Sequence, residues 1–170
     1  MDKITDKIIA RTKWIIRKFH GDREAYDAWI MGKGPGPFET KEIEGNLLLN
    51  AGITEALQLI CGIAATAFSN ANASIGVGDS ATAAAASQDA LQAAVNKAYA
   101  TMEATYPQVS AQTMTFRAVF GSAAANFSWQ EFTVINGADD TGDNLNRKVS
   151  DQGTKVAGQT WTVDVAITLS

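Results

Sequence analysis

The feature that most constrains this chain is its last stretch, "QTWTVDVAITLS". Trp161, Val163, Val165, Ile167 and Leu169 alternate strictly with Thr160, Thr162, Asp164, Ala166 and Thr168. A period of two puts the first set on one face of an extended strand and the second on the other. "TMTFRAVF" repeats the pattern, with Met114, Phe116, Ala118 and Phe120 set against Thr113, Thr115 and Arg117. In "NFSWQEFTVI", Phe127, Trp129 and Glu131 alternate with Ser128, Gln130 and Phe132. Turn-rich segments, "NGADDTGDN" and "DQGTKVAGQ", separate these runs. No strand–helix alternation occurs here, so the expected product is an antiparallel β-sandwich.

The opposite end reads differently. In "KITDKIIARTKWIIRKF", a helical period gathers Ile4, Ile8, Ile9, Thr12, Ile15, Ile16 and Phe19 on one face. Lys3, Lys7, Arg11 and Lys18 fall opposite, with Trp14 pointing among them. "DREAYDAWIM" adds a short helical turn, and "GKGPGPF" breaks any helix. The expectation is an N-terminal amphipathic helix arm with a Gly/Pro linker, residues 1–40, ahead of a β-rich body domain, residues 41–170. With one or two short helices in the body, the class is mainly β, and α+β overall.

Charge supports that division. The chain carries −4 in all, but residues 1–20 hold six basic side chains against two aspartates. Only five basic residues lie between Gly45 and Ser170, so the body is acidic. A basic arm on an acidic body suits docking onto an acidic neighbour, including another copy. A membrane surface or nucleic acid would also suit the cations, but so few of them on an acidic body favour a protein partner. No apolar run is long enough to span a membrane, and the charged leading segment does not read as a secretory signal.

The middle of the chain contains "KEIEGNLLLNAGITEALQLICG". Lys41–Glu44 reads as a short strand and Asn50 as a helix N-cap. Ile53, Leu57, Ile60 and Cys61 recur at helical spacing, and Gly62 stands where a C-terminal glycine cap would. Cys61, the single cysteine, has apolar neighbours and reads as a buried, inert thiol. The alanine-rich segment over 81–100 fits either a helix or a loop.

Reactive constellations are sparse. Gly76-x-Gly78-x-x-Ala81 has the spacing of a pyrophosphate-binding turn. Yet Pro107 stands where a second parallel strand should run, and Asp79 would repel a phosphate. A bend in a strand or close backbone packing is the alternative role for these glycines. The single histidine, His20, cannot complete a recognisable nucleophile triad or zinc site. Asp139, Asp140 and Asp143 could chelate calcium weakly but lack the EF-hand ligand pattern, which favours a solvated turn. No catalytic residue, metal site or cofactor is assigned.

Taken in order, "EIEGNLLLNAGITEAL", "NANASIGVGDS", "LQAAVNKAYATME", "YPQVSAQTMTFRAVFGSAAANFSWQEFTV", "NLNRKVSDQGTK" and "TWTVDVAITLS" resemble a group of tailed-bacteriophage virion structural proteins. The resemblance covers about Glu42–Ser170. It implies a non-enzymatic particle component of decoration or fibre type, made in the host cytoplasm and used as a homo-oligomer such as a trimer. The expected role is a capsid decoration or cement-type subunit; its partners would be the major capsid protein or tail and neck proteins. Arm residues Ile8, Trp14, Ile15, Phe19 and Trp29 are the expected partner-binding anchors, since buried aliphatic and aromatic contacts dominate interfaces. Deleting Met1–Thr40 is then expected to abolish attachment and spare the body. The alternatives are a tail-fibre, neck or baseplate adaptor and, further off, an enzyme acting on a small molecule.

Overall fold

A computed structural model describes residues 9–170. The elements run β1 (Ala10–His20), α1 (Arg23–Ile30), β2 (Glu39–Glu44), β3 (Leu47–Leu48), α2 (Asn50–Ile60), β4 (Ser74–Gly78) and β5 (Lys97–Thr101). They continue with β6 (Gln108–Ser110), β7 (Thr113–Phe120), β8 (Glu131–Ile135), β9 (Asn146–Val149) and β10 (Gln159–Leu169). Two five-stranded antiparallel sheets result, ordered β2-β1-β10-β7-β6 and β3-β9-β8-β4-β5. The chain is thus mainly β with two short helices.

β10 is the central strand of the first sheet, and its alternation is as the sequence indicates. Trp161, Val163, Val165 and Ile167 are buried in a core shared with Ile75, Val77, Phe132 and Val134 of the second sheet. Trp129 sits among them, its ring centroid 4.8 Å from those of Phe120 and Trp161 and 6.0 Å from that of Phe132. Its indole nitrogen donates to the Ala125 carbonyl at 2.9 Å, so the ring is buried without losing its hydrogen bond.

The arm helix is corrected over its described part. Ala10–His20 is a strand paired with β10 along its whole length, from Ala10 opposite Leu169 to His20 opposite Gln159. Its other edge pairs with β2, from Lys13 opposite Glu44 to Lys18 opposite Glu39. The physical reason is a second period in the same residues. Read by twos, Thr12, Trp14, Ile16 and Lys18 are buried, while Arg11 and Lys13 are exposed and Ile15 and Arg17 half-buried. A helix would have left Trp14 among cations in water, whereas the strand buries it completely. From Ala10 onward, the segment assigned to a detachable arm is built into the sheet. The helix expected over residues 3–8 lies outside the described residues.

α1 covers the outer side of this sheet: Phe19 packs on Tyr26 and Trp29, with centroids 5.8 and 5.4 Å away. Lys41–Glu44 falls in β2, as expected. α2 begins at Asn50, but Leu49 takes the cap position and no side chain caps the helix. Gly62 has φ +68°, the left-handed conformation of a terminating glycine. Cys61 is exposed, which corrects its reading as a buried thiol.

The alanine-rich segment is loop up to β5. A buried ion pair holds it. Glu131 accepts from Arg147 Nε at 2.7 Å and from the backbone nitrogens of Gln92 and Ala93 at 2.9 and 2.7 Å. Arg147 also donates to Gln88 Oε1 at 3.0 Å. Two backbone nitrogens that a helix would have paired internally are thereby tied to β8, and the Gln88 side chain to β9.

Candidate functional site: an outward-facing apolar helix

Of the five expected anchors, Ile8 lies outside the described residues. Trp14 points into the core, 5.8 Å from the Phe132 ring, and Phe19 lies buried beneath α1. Ile15 and Trp29 are half-buried. Among the four described anchors, Trp14 and Phe19 offer no surface to a partner. Trp14 and Phe19 are corrected as partner anchors, because the chain's own packing consumes their apolar area.

The glycines Gly76 and Gly78 lie within β4, a strand buried at every residue. A Cβ on Gly76 would sit 2.6 Å from a Tyr99 ring carbon and 2.8 Å from Thr133 Cγ2. One on Gly78 would sit 2.5 Å from Glu131 Oε1. No helix follows, and Asp79 instead accepts from Asn96 Nδ2 at 2.7 Å. The glycines allow side chains of β5 and β8 to lie across β4, which is the close-packing role.

Two of the three aspartates near residue 140 have side-chain partners of their own. Asp139 accepts from the Thr141 nitrogen and hydroxyl at 2.9 and 2.6 Å, while Asp140 meets Lys97 and the Tyr99 hydroxyl. Among the described residues, no group of three or more His, Cys, Asp or Glu side chains is placed to hold a metal ion. No helix among them is long and apolar enough to cross a membrane.

Two further polar centres stand out. On the outer side of the first sheet, Asp164 accepts from Arg17 Nη1 at 2.9 Å and from Arg117 Nε and Nη2 at 2.7 and 2.6 Å. Arg17 lies 5.6 Å from the Trp29 ring centroid and Arg117 lies 4.7 Å from that of Tyr106. The bonds to Asp164 raise the Arg117 pKa further above its ordinary value.

The second centre is Lys155, which is fully buried and donates to the carbonyls of Gly121 and Ala124 and to Asn126 Oδ1 at 2.8, 2.9 and 2.8 Å. None of these acceptors is charged, and desolvation pushes its pKa down to about 8. The sign follows from linkage. Between pH 8 and the ordinary lysine range the unfolded chain holds more protons, so raising pH favours the folded state. Denaturant midpoints are therefore expected to rise from pH 8 to about 10. Above that, the raised Tyr99 pKa reverses the trend, because the unfolded phenol loses its proton first. Urea titrations across this range check it, and Lys155→Met should abolish the rise.

The least expected surface is that of α2. Gly52 and Glu55 face the body: a Cβ on Gly52 would come within 2.3 Å of Leu145 Cα. The Glu55 carboxylate accepts from the Thr66 nitrogen and from Asn136 Nδ2. Ile53, Leu57 and Ile60, at i, i+4 and i+7, face outward and are 41%, 56% and 81% exposed. Ile63, just beyond the helix, is 57% exposed. The helix is amphipathic but inverted, with its apolar stripe in water.

Sequence reading found the stripe without finding its direction. A signal was present: the face opposite the stripe carries Gly52 and Glu55 but no lysine or arginine, unlike an ordinary solvent face. Such a surface can dock apolar groups. Compared with protein-family models, curated proteins and solved structures, the chain has no match.

Proposed function

We propose that this protein is a non-enzymatic structural subunit of a tailed-bacteriophage virion, placed on the capsid exterior as a decoration or cement-type component. The observation that carries this reading is the exposed Ile53, Leu57 and Ile60 face, held on a rigid two-sheet body. An assembly subunit needs a firm scaffold and a surface whose burial is left to association. The body is read as a β-sandwich, in keeping with the core its two sheets share. Attachment to the major capsid protein is assigned to the leading segment with Ile8, since Trp14 and Phe19 are committed inside the fold.

A second reading, the tail-fibre, neck or baseplate adaptor, draws on the half-buried Trp29 and Tyr106 beside Arg17 and Arg117. Aromatic faces next to hydrogen-bonding guanidiniums are the groups a body that meets host-surface glycans would present.

Quantitative mass spectrometry of purified virions tests both. Copy numbers comparable to the major capsid protein are expected for decoration. A few copies per particle would move the protein to the tail or neck. Its absence from virions would overturn the virion role.

A further inference from the structure

We infer that copies of this chain associate with one another through the outward face of α2, together with the uncharged segments beside it. This deepens the assembly reading and rests on it, by naming the partner of that surface.

The first argument is that the helix cannot roll to bury its stripe. Gly52 is in close contact with the Leu145 backbone, and Glu55 is hydrogen-bonded on the body side. Ile53, Leu57, Ile60 and Ile63 therefore stay in water until something covers them, an unfavourable state in proportion to the apolar area exposed.

The second argument is charge, and it selects the occupant. From Gly45 to Asn96 there is no lysine or arginine; the only ionisable acids are Glu55, Asp79 and Asp89. Glu55 is buried beneath the helix and Asp79 is bonded to Asn96, so the outward stripe itself carries no charge. A lipid surface would call for lysines and arginines around the apolar stripe, and nucleic acid would call for cations outright. An oppositely charged protein would call for a charge of either sign. A second copy calls for none. Across a two-fold axis the same patch is used on both copies and residues near the axis meet their own counterparts, so a neutral apolar face carries no like-charge cost there.

The third argument is extent. A stable interface takes roughly 20–30 residues a side, more than α2 alone provides. The segments flanking the helix supply the rest. Residues 81–96 are joined to its start by the Asn50 nitrogen on the Ala86 carbonyl at 2.9 Å. Residues 61–73 are joined by Thr66 to Glu55. Both segments are uncharged apart from Asp89.

The test is sedimentation velocity on the full chain over a range of micromolar concentrations, for wild type, a Leu57→Lys/Ile60→Lys double variant and a Val109→Lys control. Val109 is apolar and 78% exposed, but lies on β6 at the edge of the other sheet. Wild type and the control are expected to sediment as the same oligomer and the double variant as a monomer with an unchanged circular dichroism spectrum. Because Cys61 is exposed next to the helix, a bis-maleimide should join two wild-type copies and fail to join the double variant.

A wild-type monomer at every concentration would overturn the inference without needing any variant. So would an oligomer that survives both lysines, or one lost equally in the control. A monomer that floats with phosphatidylcholine vesicles would give the face to lipid and overturn it as well. An oligomer absent from virions would leave the inference standing and sink the virion role. A monomeric protein abundant in virions would do the reverse.

Discussion

Deleting Met1–Thr40 is expected to leave no folded body at all. The deletion removes all of β1 and the start of β2, exposing one edge of β10 along the full register from Ala10–Leu169 to His20–Gln159. It also takes Trp14 and Ile16 out of the shared core and removes α1 together with the whole Phe19, Tyr26 and Trp29 cluster. A single buried Trp or Phe truncated to Ala costs about 3–5 kcal/mol, and whole domains are stable by only about 5–15 kcal/mol. Losing several such side chains with a strand exceeds that margin. Circular dichroism and proteolysis of residues 41–170 check it. A protease-resistant fragment with a cooperative melt would show that the body folds without β1. A loss of particle attachment on this deletion would therefore report unfolding, and truncation before Ala10 is the informative variant.

The second large effect is expected at Arg147. Its guanidinium and the Glu131 carboxylate are both fully buried, with Nη2 2.6 Å from Oε2. Arg147→Met would leave Glu131 with only the Gln92 and Ala93 nitrogens as partners. Breaking one side of a buried pair costs about 3–5 kcal/mol, because the remaining charge is uncompensated. The urea midpoint of Arg147→Met should fall accordingly, and amide exchange should accelerate between residues 81 and 96. The double variant Glu131→Gln/Arg147→Met separates pair from packing: it should recover a good part of the loss. If Arg147→Met unfolds at the wild-type midpoint, the pair does not anchor the loop.

How much of this was legible depends on where the deciding information sits. β10 and β7 could be read directly, because each has one face in the core and its own residues alternate accordingly. β1 could not. Its residues satisfy both a helical and an extended period, and the arbiter is β10, at the other end of the given sequence. The pattern around Phe127–Phe132 misled for another reason. Trp129 and Phe132 are both buried although alternation puts them on opposite faces, since β8 begins only at Glu131 and every residue in it is buried. Glu131 and Arg147 carried no local mark, because two charges can be buried only through a pairing that sequence spacing does not reveal. The helical spacing of Ile53, Leu57 and Ile60 was plain, yet the body's polar groups, Thr66 and Asn136, decide which side of α2 faces out.

The order β2-β1-β10-β7-β6 has a consequence for synthesis. Among the described strands of the first sheet, the central one is translated after all the others. Until Leu169 has emerged, β1 with β2 and β6 with β7 can form only as separate hairpins, each with an apolar face and an open edge. Pairing of so high a contact order is slow, on a scale of about milliseconds to seconds. Both hairpins therefore stay sticky and unjoined until β10 emerges between them.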